Sequence, residues 1–300
     1  MQSKITVSVC IPAYNEGKNI RNILRGLMHQ RLQRVDITRI IVVCSGCTDD
    51  TIPIVERYKK KDSRIDLIVQ PERNGKASAI NAFLETANEE VVVIESADTV
   101  PFTDCIEKLC APFIDNAELG MTGGAPIPIN DPNTFLGYII HSWWWFHRNI
   151  PRFGEIIAFR NMLPNISETT AVDEAYIQAI LVKKGYSVVH IDTARVHNKG
   201  PEHIYDLIRQ RRRIFNGHSR LYQEQNVKID HMTKSSMYLL VFKYKIHSLK
   251  ELVWLICGIL IEIWSRMLGA YDSVFRKVNP YVWDTAKSTK NLRLEEDQLV

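Results

Sequence analysis

The chain carries no large excess of either charge. Its 38 Lys and Arg stand against 34 Asp and Glu, a net +4 over 300 residues. That balance makes no electrostatic case for a nucleic-acid partner. It also has no signal-like opening: Met1-Gln2-Ser3-Lys4 runs directly into a strand-like segment, so no secretory leader is expected. Its six cysteines (10, 44, 47, 105, 110 and 257) are scattered, which fits a reducing compartment and not a disulfide framework. Cys44-x-x-Cys47 has redox or zinc spacing, but zinc needs a second ligand pair, and Cys105 and Cys110 are five apart. Free, small core cysteines are the expectation. Internal repeats and low-complexity tracts are absent. So is a clean membrane span: residues 252–268 are apolar but include Glu262 and Arg266. A span takes roughly 20 apolar residues, and a central charge costs about 2.5–3.5 kcal/mol.

What is present is core material. Hydrophobic residues make up 45% and charged residues 24%, enough for one large α/β domain with an appendage. Val91-Val92-Val93-Ile94 is a β-branched run that ends in Glu95-Ser96-Ala97-Asp98. Such a run predicts a strand buried on both faces, with Asp98 at its carboxyl edge, where open α/β sheets bind ligands. A carboxylate there suits a divalent cation and the phosphates it carries. The competing reading makes Asp98 a helix cap, with Thr103 as a rival.

Patterning predicts strands over 5–11, 39–44, 65–69 and 91–94, and helices over 19–28, 52–58 and 77–87. Alternation of this kind argues for a parallel, doubly wound sheet with right-handed crossovers. Later, 121–128 reads as a strand entering a loop, and 135–153 as aromatic and poorly periodic. A helix is expected over 171–184, a strand over 188–191 and a long basic helix over 202–223. Residues 237–242 are apolar. Helices over 226–278 are expected to lie in a membrane interface, anchored by Trp254, Trp264 and flanking lysines. A single span and a soluble appendage are the alternatives. Residues 279–300 read as a polar surface tail.

Val7-Ser8-Val9-Cys10-Ile11-Pro12-Ala13-Tyr14-Asn15-Glu16 resembles the opening strand of family-two inverting glycosyltransferases, which have the GT-A fold. The resemblance runs over roughly 5–220. It implies a GT-A catalytic domain over 1–225 with a mixed, mostly parallel sheet flanked by helices and a C-terminal helical membrane-associating appendage. It also implies a nucleotide-diphosphate sugar donor, Mg2+ or Mn2+, and a lipid-linked or glycan acceptor at the cytoplasmic face of a membrane.

By that resemblance Pro12, Tyr14 and Glu16 frame the nucleoside. Ser45 stands at a usually acidic position, and Asp49 keeps the family's aspartate or caps the next helix. Lys76, in Asn74-Gly75-Lys76, meets the diphosphate. Ser96 replaces the first aspartate of the family's Asp-x-Asp, while Asp98 keeps the second and holds the metal. His197 sits where a further metal ligand often lies, or is a surface histidine. Asp173, with Glu174 as fallback, is the base that takes the acceptor proton. Gln210 and Arg213 match the synthases' Gln-x-x-Arg-Trp, Ile214 replacing the tryptophan, so a processive polymerase is not expected. Trp143-Trp144-Trp145 fall in an acceptor-contacting region. A sugar nucleotidyltransferase would want a Gly-rich, Arg-containing loop after the first strand, and Pro12–Glu16 is not one. A non-catalytic scaffold and a nucleic-acid binder, which would explain Arg209–Arg213, remain as rivals.

Overall fold

The computed structural model describes residues 4–149, 153–225, 243–282 and 287–292. The segment 237–242 lies outside the described residues. One eight-stranded sheet, in the order β3-β2-β1-β4-β7-β6-β8-β5, organises the chain. Its first half follows the sequence pattern: β1 (Ile5–Ala13), α1 (Ile20–Met28), β2 (Val35–Ser45), α2 (Thr51–Lys59), β3 (Ile65–Gln70), α3 (Lys76–Leu84) and β4 (Val91–Glu95). These four strands pair in parallel. Every residue of β4 is buried, as a β-branched run between two helical layers requires. Val7, Val9 and Val93 pack toward α1 and α2, while Ile41, Val43, Val92 and Ile94 pack toward α3.

Beyond β4 the sheet becomes mixed, as the family resemblance implies. The chain forms β5 (Thr99–Pro101), α4 (Cys105–Cys110), α5 (Pro112–Asp115), β6 (Leu119–Pro128) and α6 (Phe135–Asn149). Then β7 (Ile156–Arg160) inserts antiparallel to both β4 and β6. After α7 (Asp173–Lys183), β8 (Ser187–Asn198) pairs in parallel with β6 and antiparallel with β5. The sheet is therefore mixed. Four apolar residues, Ile156–Phe159, open β7 before Arg160, a run too short to separate strand from buried loop by periodicity.

Residues 135–149 form a helix despite their poor periodicity. Tyr138 and Ile139 pack inward, Ile140 and Trp143 face a cavity, and Tyr138 also meets Trp254 from another helix. A helix contacted on several sides shows no single apolar stripe.

Among the described residues two long helices follow, α8 (Ile204–Gln225) and α9 (Leu249–Tyr271), the latter running into a π-helical turn, Asp272–Arg276. Helix α9 packs on α8 and α6. Its glycines permit the approach: a Cβ on Gly269 would lie 2.7 Å from Arg212 O, and one on Gly258 would lie 3.2 Å from Ile139. Ion pairs Arg211–Glu262 (2.7 Å) and Arg212–Asp272 (2.5 Å) fix the register.

The described part of the tail is not a free surface segment. Asn279 Nδ2 donates to Thr169 O, Asn22 Nδ2 donates to Leu292 O, and Leu292 N donates to Asn19 Oδ1. Leu292 is buried beside Val100. The chain thus returns to α1, which local polarity in the sequence did not signal.

Candidate active site

Because β1, β2 and β4 are parallel, their carboxyl ends share one edge, and a cavity of about 940 Å³ opens there. Pro12, Tyr14 and Glu16 line it from the end of β1, Ser45 from β2, Lys76 from the start of α3, and Ser96 and Asp98 from the turn after β4. Asp173 and Glu174 reach it from the start of α7, and Gln210 and Arg213 from α8. Ten residues from distant segments therefore converge with Asp98. Asp49 and His197 do not line this cavity.

Asp49 ties loops together. Its Oδ1 accepts from Thr51 N (3.0 Å) and its Oδ2 from Gly17 N (2.9 Å). His197 stands opposite Val100 in the β5–β8 ladder and stacks on Phe102 with ring centroids 4.4 Å apart. Burial holds its imidazole below the usual range, so it is neutral, but it does not meet Asp98 at the cavity. Asp98 caps no helix either: it lies in a turn that leads into β5.

At one end of the cavity the Arg73 guanidinium sits 3.8 Å from the Tyr14 ring centroid, occupying one face of the ring. Lys290 Nζ lies 5.5 Å from the same ring and donates to Glu16 Oε1 (2.7 Å), Asn15 O (3.0 Å) and Tyr14 O. Burial and the charge of Asp98 raise Glu16 to about 7, with Lys290 pulling the other way. Ser45 Oγ donates to Glu72 O (3.2 Å) and accepts from Asn74 N (3.1 Å), fixing the loop before α3. Gly75 turns that loop at φ +92°, where a Cβ would meet Tyr281 O at 2.9 Å.

At the centre, Lys76 Nζ lies 2.6 Å from Glu174 Oε1 and 2.9 Å from Asp173 Oδ2. Burial opposes its charge, but the two carboxylates outweigh burial and hold it protonated. Asp173 Oδ2 makes no aligned hydrogen bond despite this ion pair. Burial, then the charge of Glu174, pushes Asp173 up, whereas Lys76 overcomes burial at Glu174 and holds that group down. Arg213 faces the same carboxylates, and burial lowers it to about 10. Asp98 is raised by burial, against the pull of Lys290.

Among the cavity residues that escaped the sequence reading, three bear directly on the cavity's charges. Glu155 lies beside Asp98, is raised to about 8 by burial and that neighbour, and sits at φ +59°. Its only signal was its place just before an apolar run. Arg73 and Lys290 had none: Lys290 meets Glu16 across 274 positions of sequence.

Among the described residues no group of three or more His, Cys, Asp or Glu is arranged to hold a metal ion. The hard carboxylate of Asp98, open to a roomy cavity, still fits a cation that draws its other ligands from a diphosphate and water.

The glycosyl transferase family 2 profile matches residues 8–172, over half of the chain. The chain belongs to glycosyl transferase family 2. It is 29% identical over 103 residues to glycosyltransferase GlyG of Streptococcus pneumoniae, covering 34% of this chain and 33% of that protein. It is 32% identical over 112 residues to dolichyl-phosphate beta-glucosyltransferase ALG5C of Trichomonas vaginalis, covering 36% and 33%. The match thus spans about a third of the length of these relatives. In fold it is similar to the mannosyltransferase PcManGT of Pyrobaculum calidifontis, solved with GDP-Man and Mn2+. That superposition has a TM-score of 0.62 at 19% identity and covers 92% of this chain and 88% of the other. The architecture is GT-A.

Proposed function

We propose that this chain transfers a hexose from a nucleotide-diphosphate sugar to a lipid-linked or glycan hydroxyl, inverting the anomeric centre. The observation that carries this reading is the convergence of Asp173, Glu174, Lys76, Arg213 and Asp98 on one cavity at the sheet's carboxyl edge. The likeness to family members that act with nucleotide sugars supports it, as does the GDP-Man and Mn2+ complex of the similar fold.

Tyr14 and Glu16 flank the nucleoside, and Lys76 and Arg213 offset the diphosphate's charge. Asp98 would hold Mg2+ or Mn2+, and such a cation would offset charge on the departing nucleoside diphosphate. Asp173 Oδ2 accepts the acceptor's hydroxyl proton as the new glycosidic bond forms and the old bond to phosphate breaks. Lys76 favours the ionised form that this role needs, against burial and the charge of Glu174. Arg211 and Arg212 of the basic helix are engaged by Glu262 and Asp272, which counts against reading that helix as a nucleic-acid face.

The lipid side of the acceptor rests on α9. Residues Leu249–Arg276 form a helix long and apolar enough to cross a membrane by length and composition. Glu262 turns inward to Arg211, while Leu260, Trp264 and Met267 are 59%, 53% and 58% exposed. We read α9 as lying in the cytoplasmic interface of a membrane with this face in lipid and Glu262 and Arg266 on the cavity.

Incubation with a panel of UDP- and GDP-sugars and polyprenyl-phosphate acceptors tests the function. Product should form with wild type and fall below detection with Asp173→Asn. Equal product from both proteins would remove Asp173 as the base.

A further inference from the structure

Cys44 and Cys47 have no part in the transfer proposed above, yet they sit directly behind the turn that presents Tyr14 and Glu16. Cys44 is fully buried near the end of β2, held in register between Ala13 of β1 and Val69 of β3. Gly46 then bends the chain at φ +64°, where a Cβ would lie 2.7 Å from Arg73 N. This bend turns Cys47, partly exposed, back against the apolar cluster that holds Cys44, with its Sγ beside Ala13, the register partner of Cys44.

Cys47 is also wired to the neighbouring turn. Its Sγ accepts from Asn15 N (3.4 Å) and lies 3.5 Å from Ala13 O. Asn15 holds φ +53°, a left-handed conformation that its bonds to the 44–51 loop support. Thr48 N donates to Asn15 Oδ1 (2.8 Å), Glu16 N donates to Thr51 Oγ1 (2.8 Å) and Gly17 N donates to Asp49 Oδ2 (2.9 Å). The turn that bears Tyr14 and Glu16 is thus set by the loop that bears Cys47.

We propose that Cys44 and Cys47 form a reversible disulfide site, closed by a peroxide, whose closure shifts the 13–17 turn at the nucleoside end of the cavity. The Cys47 thiolate attacks one peroxide oxygen, giving a sulfenic acid and hydroxide. The Cys44 sulfur then attacks the Cys47 sulfur, forming the S–S bond and releasing the second oxygen as water. Two thiols and one hydrogen peroxide become one disulfide and two waters. The Cys44 hydrogen bond, and that from Asn15 N, lower Cys47 to about 7 against burial, so Cys47 is the attacking sulfur. Cys44 is pushed up by the same contact and by burial. An S–S bond of about 2.05 Å requires the two sulfurs to close to bonding distance. Cys44 is locked in the sheet, so Cys47 moves and gives up its contacts with Asn15 N and Ala13 O. Any effect on donor binding rests on the donor-site reading of the cavity.

The test treats the full-length chain with graded hydrogen peroxide, alkylates the free thiols and maps peptides by mass. Amide exchange across 13–17 and affinity for UDP and GDP are measured on reduced and oxidised protein. The proposal predicts a Cys44–Cys47 bridge that dithiothreitol reverses. It also predicts faster exchange at Asn15–Gly17 and an affinity change of at least about threefold for the nucleotide that binds. Cys47→Ser keeps an acceptor for Asn15 N and should show neither response. Separately alkylated Cys44 and Cys47 after peroxide, or a bridge with unchanged exchange at 13–17, overturns the proposal. The exchange arm needs no nucleotide. A protein that binds neither nucleotide therefore refutes the donor reading while this proposal is still decided.

Discussion

Along the sheet edge, the cavity wall consists of groups that hold one another. Lys76 bridges Asp173 and Glu174, Ser45 pins the loop before α3, and Asp98 follows a strand with no exposed residue. The facing wall is assembled from afar. Glu262 and Arg266 come from α9, Tyr281 from the segment beyond it, and Lys290 from near the chain's end. The first wall is held by strands buried on both faces, where displacing a carboxylate means disturbing the core. The second is held by the packing of α9 on α8 and α6 and, beyond α9, by a few hydrogen bonds and ion pairs, each worth about 0.5–3 kcal/mol. On the proposed function, chemistry, which needs fixed geometry, belongs to the sheet edge. On the same proposal, recognition belongs to the C-terminal side.

Substitutions that exchange the roles of the two walls test that division. The largest effect is expected at Asp173→Asn, with kcat lower by about 10²–10⁴ and nucleotide affinity nearly unchanged. A similar loss from Glu262→Gln would erase the contrast between walls. Next is Lys290→Ala, which leaves the buried Glu16 carboxylate without its cation. It should weaken nucleotide binding by about 1.5–3 kcal/mol, the worth of a charged hydrogen bond, and leave the chemical step intact. An effect on single-turnover rate with unchanged affinity would move Lys290 into the catalytic group.

On the lipid side, Leu260→Glu with Trp264→Glu should abolish sedimentation with anionic vesicles. Stability should change by only about 0.5 kcal/mol per site, as for exposed positions. Unchanged vesicle binding would detach α9 from the membrane reading.

The smallest effect is sought beneath the sheet edge. Glu95 is fully buried and burial raises it to about 8, partly countered by the Thr99 hydroxyl. The folded chain keeps this proton up to that pH, while the unfolded chain releases it above about 4.5. The native state therefore binds more protons in that window, and stability falls as pH rises through it. Glu95→Gln should raise Tm at pH 8 by a few degrees and much less at pH 5. An equal shift at both values would refute the assignment.

The contrast between the walls also marks what the sequence revealed. The four parallel strands and their carboxyl-edge residues were legible because β-branched runs such as Val91–Ile94 have one stable environment. Pro12, Tyr14, Glu16, Lys76, Asp98 and Asp173 followed from those strands and from the family resemblance. The antiparallel β7 was not legible, since Ile156–Phe159 is too short to show a period. Asp49 and His197 carried the right chemistry at the right spacing, but loop bonding and the β5–β8 register turned them to other partners. Nothing local in Lys290 points to Glu16. That contact exists because the chain after α9 recrosses the molecule, a tertiary fact with no short-range signature. Residues 135–149 hid a helix because several neighbours share its surface.

The central claim is that the sheet-edge cavity binds a nucleoside diphosphate together with a cation at Asp98. Calorimetric titration of UDP and GDP, with and without Mn2+, into wild type and Asp98→Ala tests it directly. The account predicts that one nucleotide binds wild type in a manganese-dependent way and that Asp98→Ala loses this dependence. Binding of neither nucleotide, or equal manganese-dependent binding by both proteins, would contradict it.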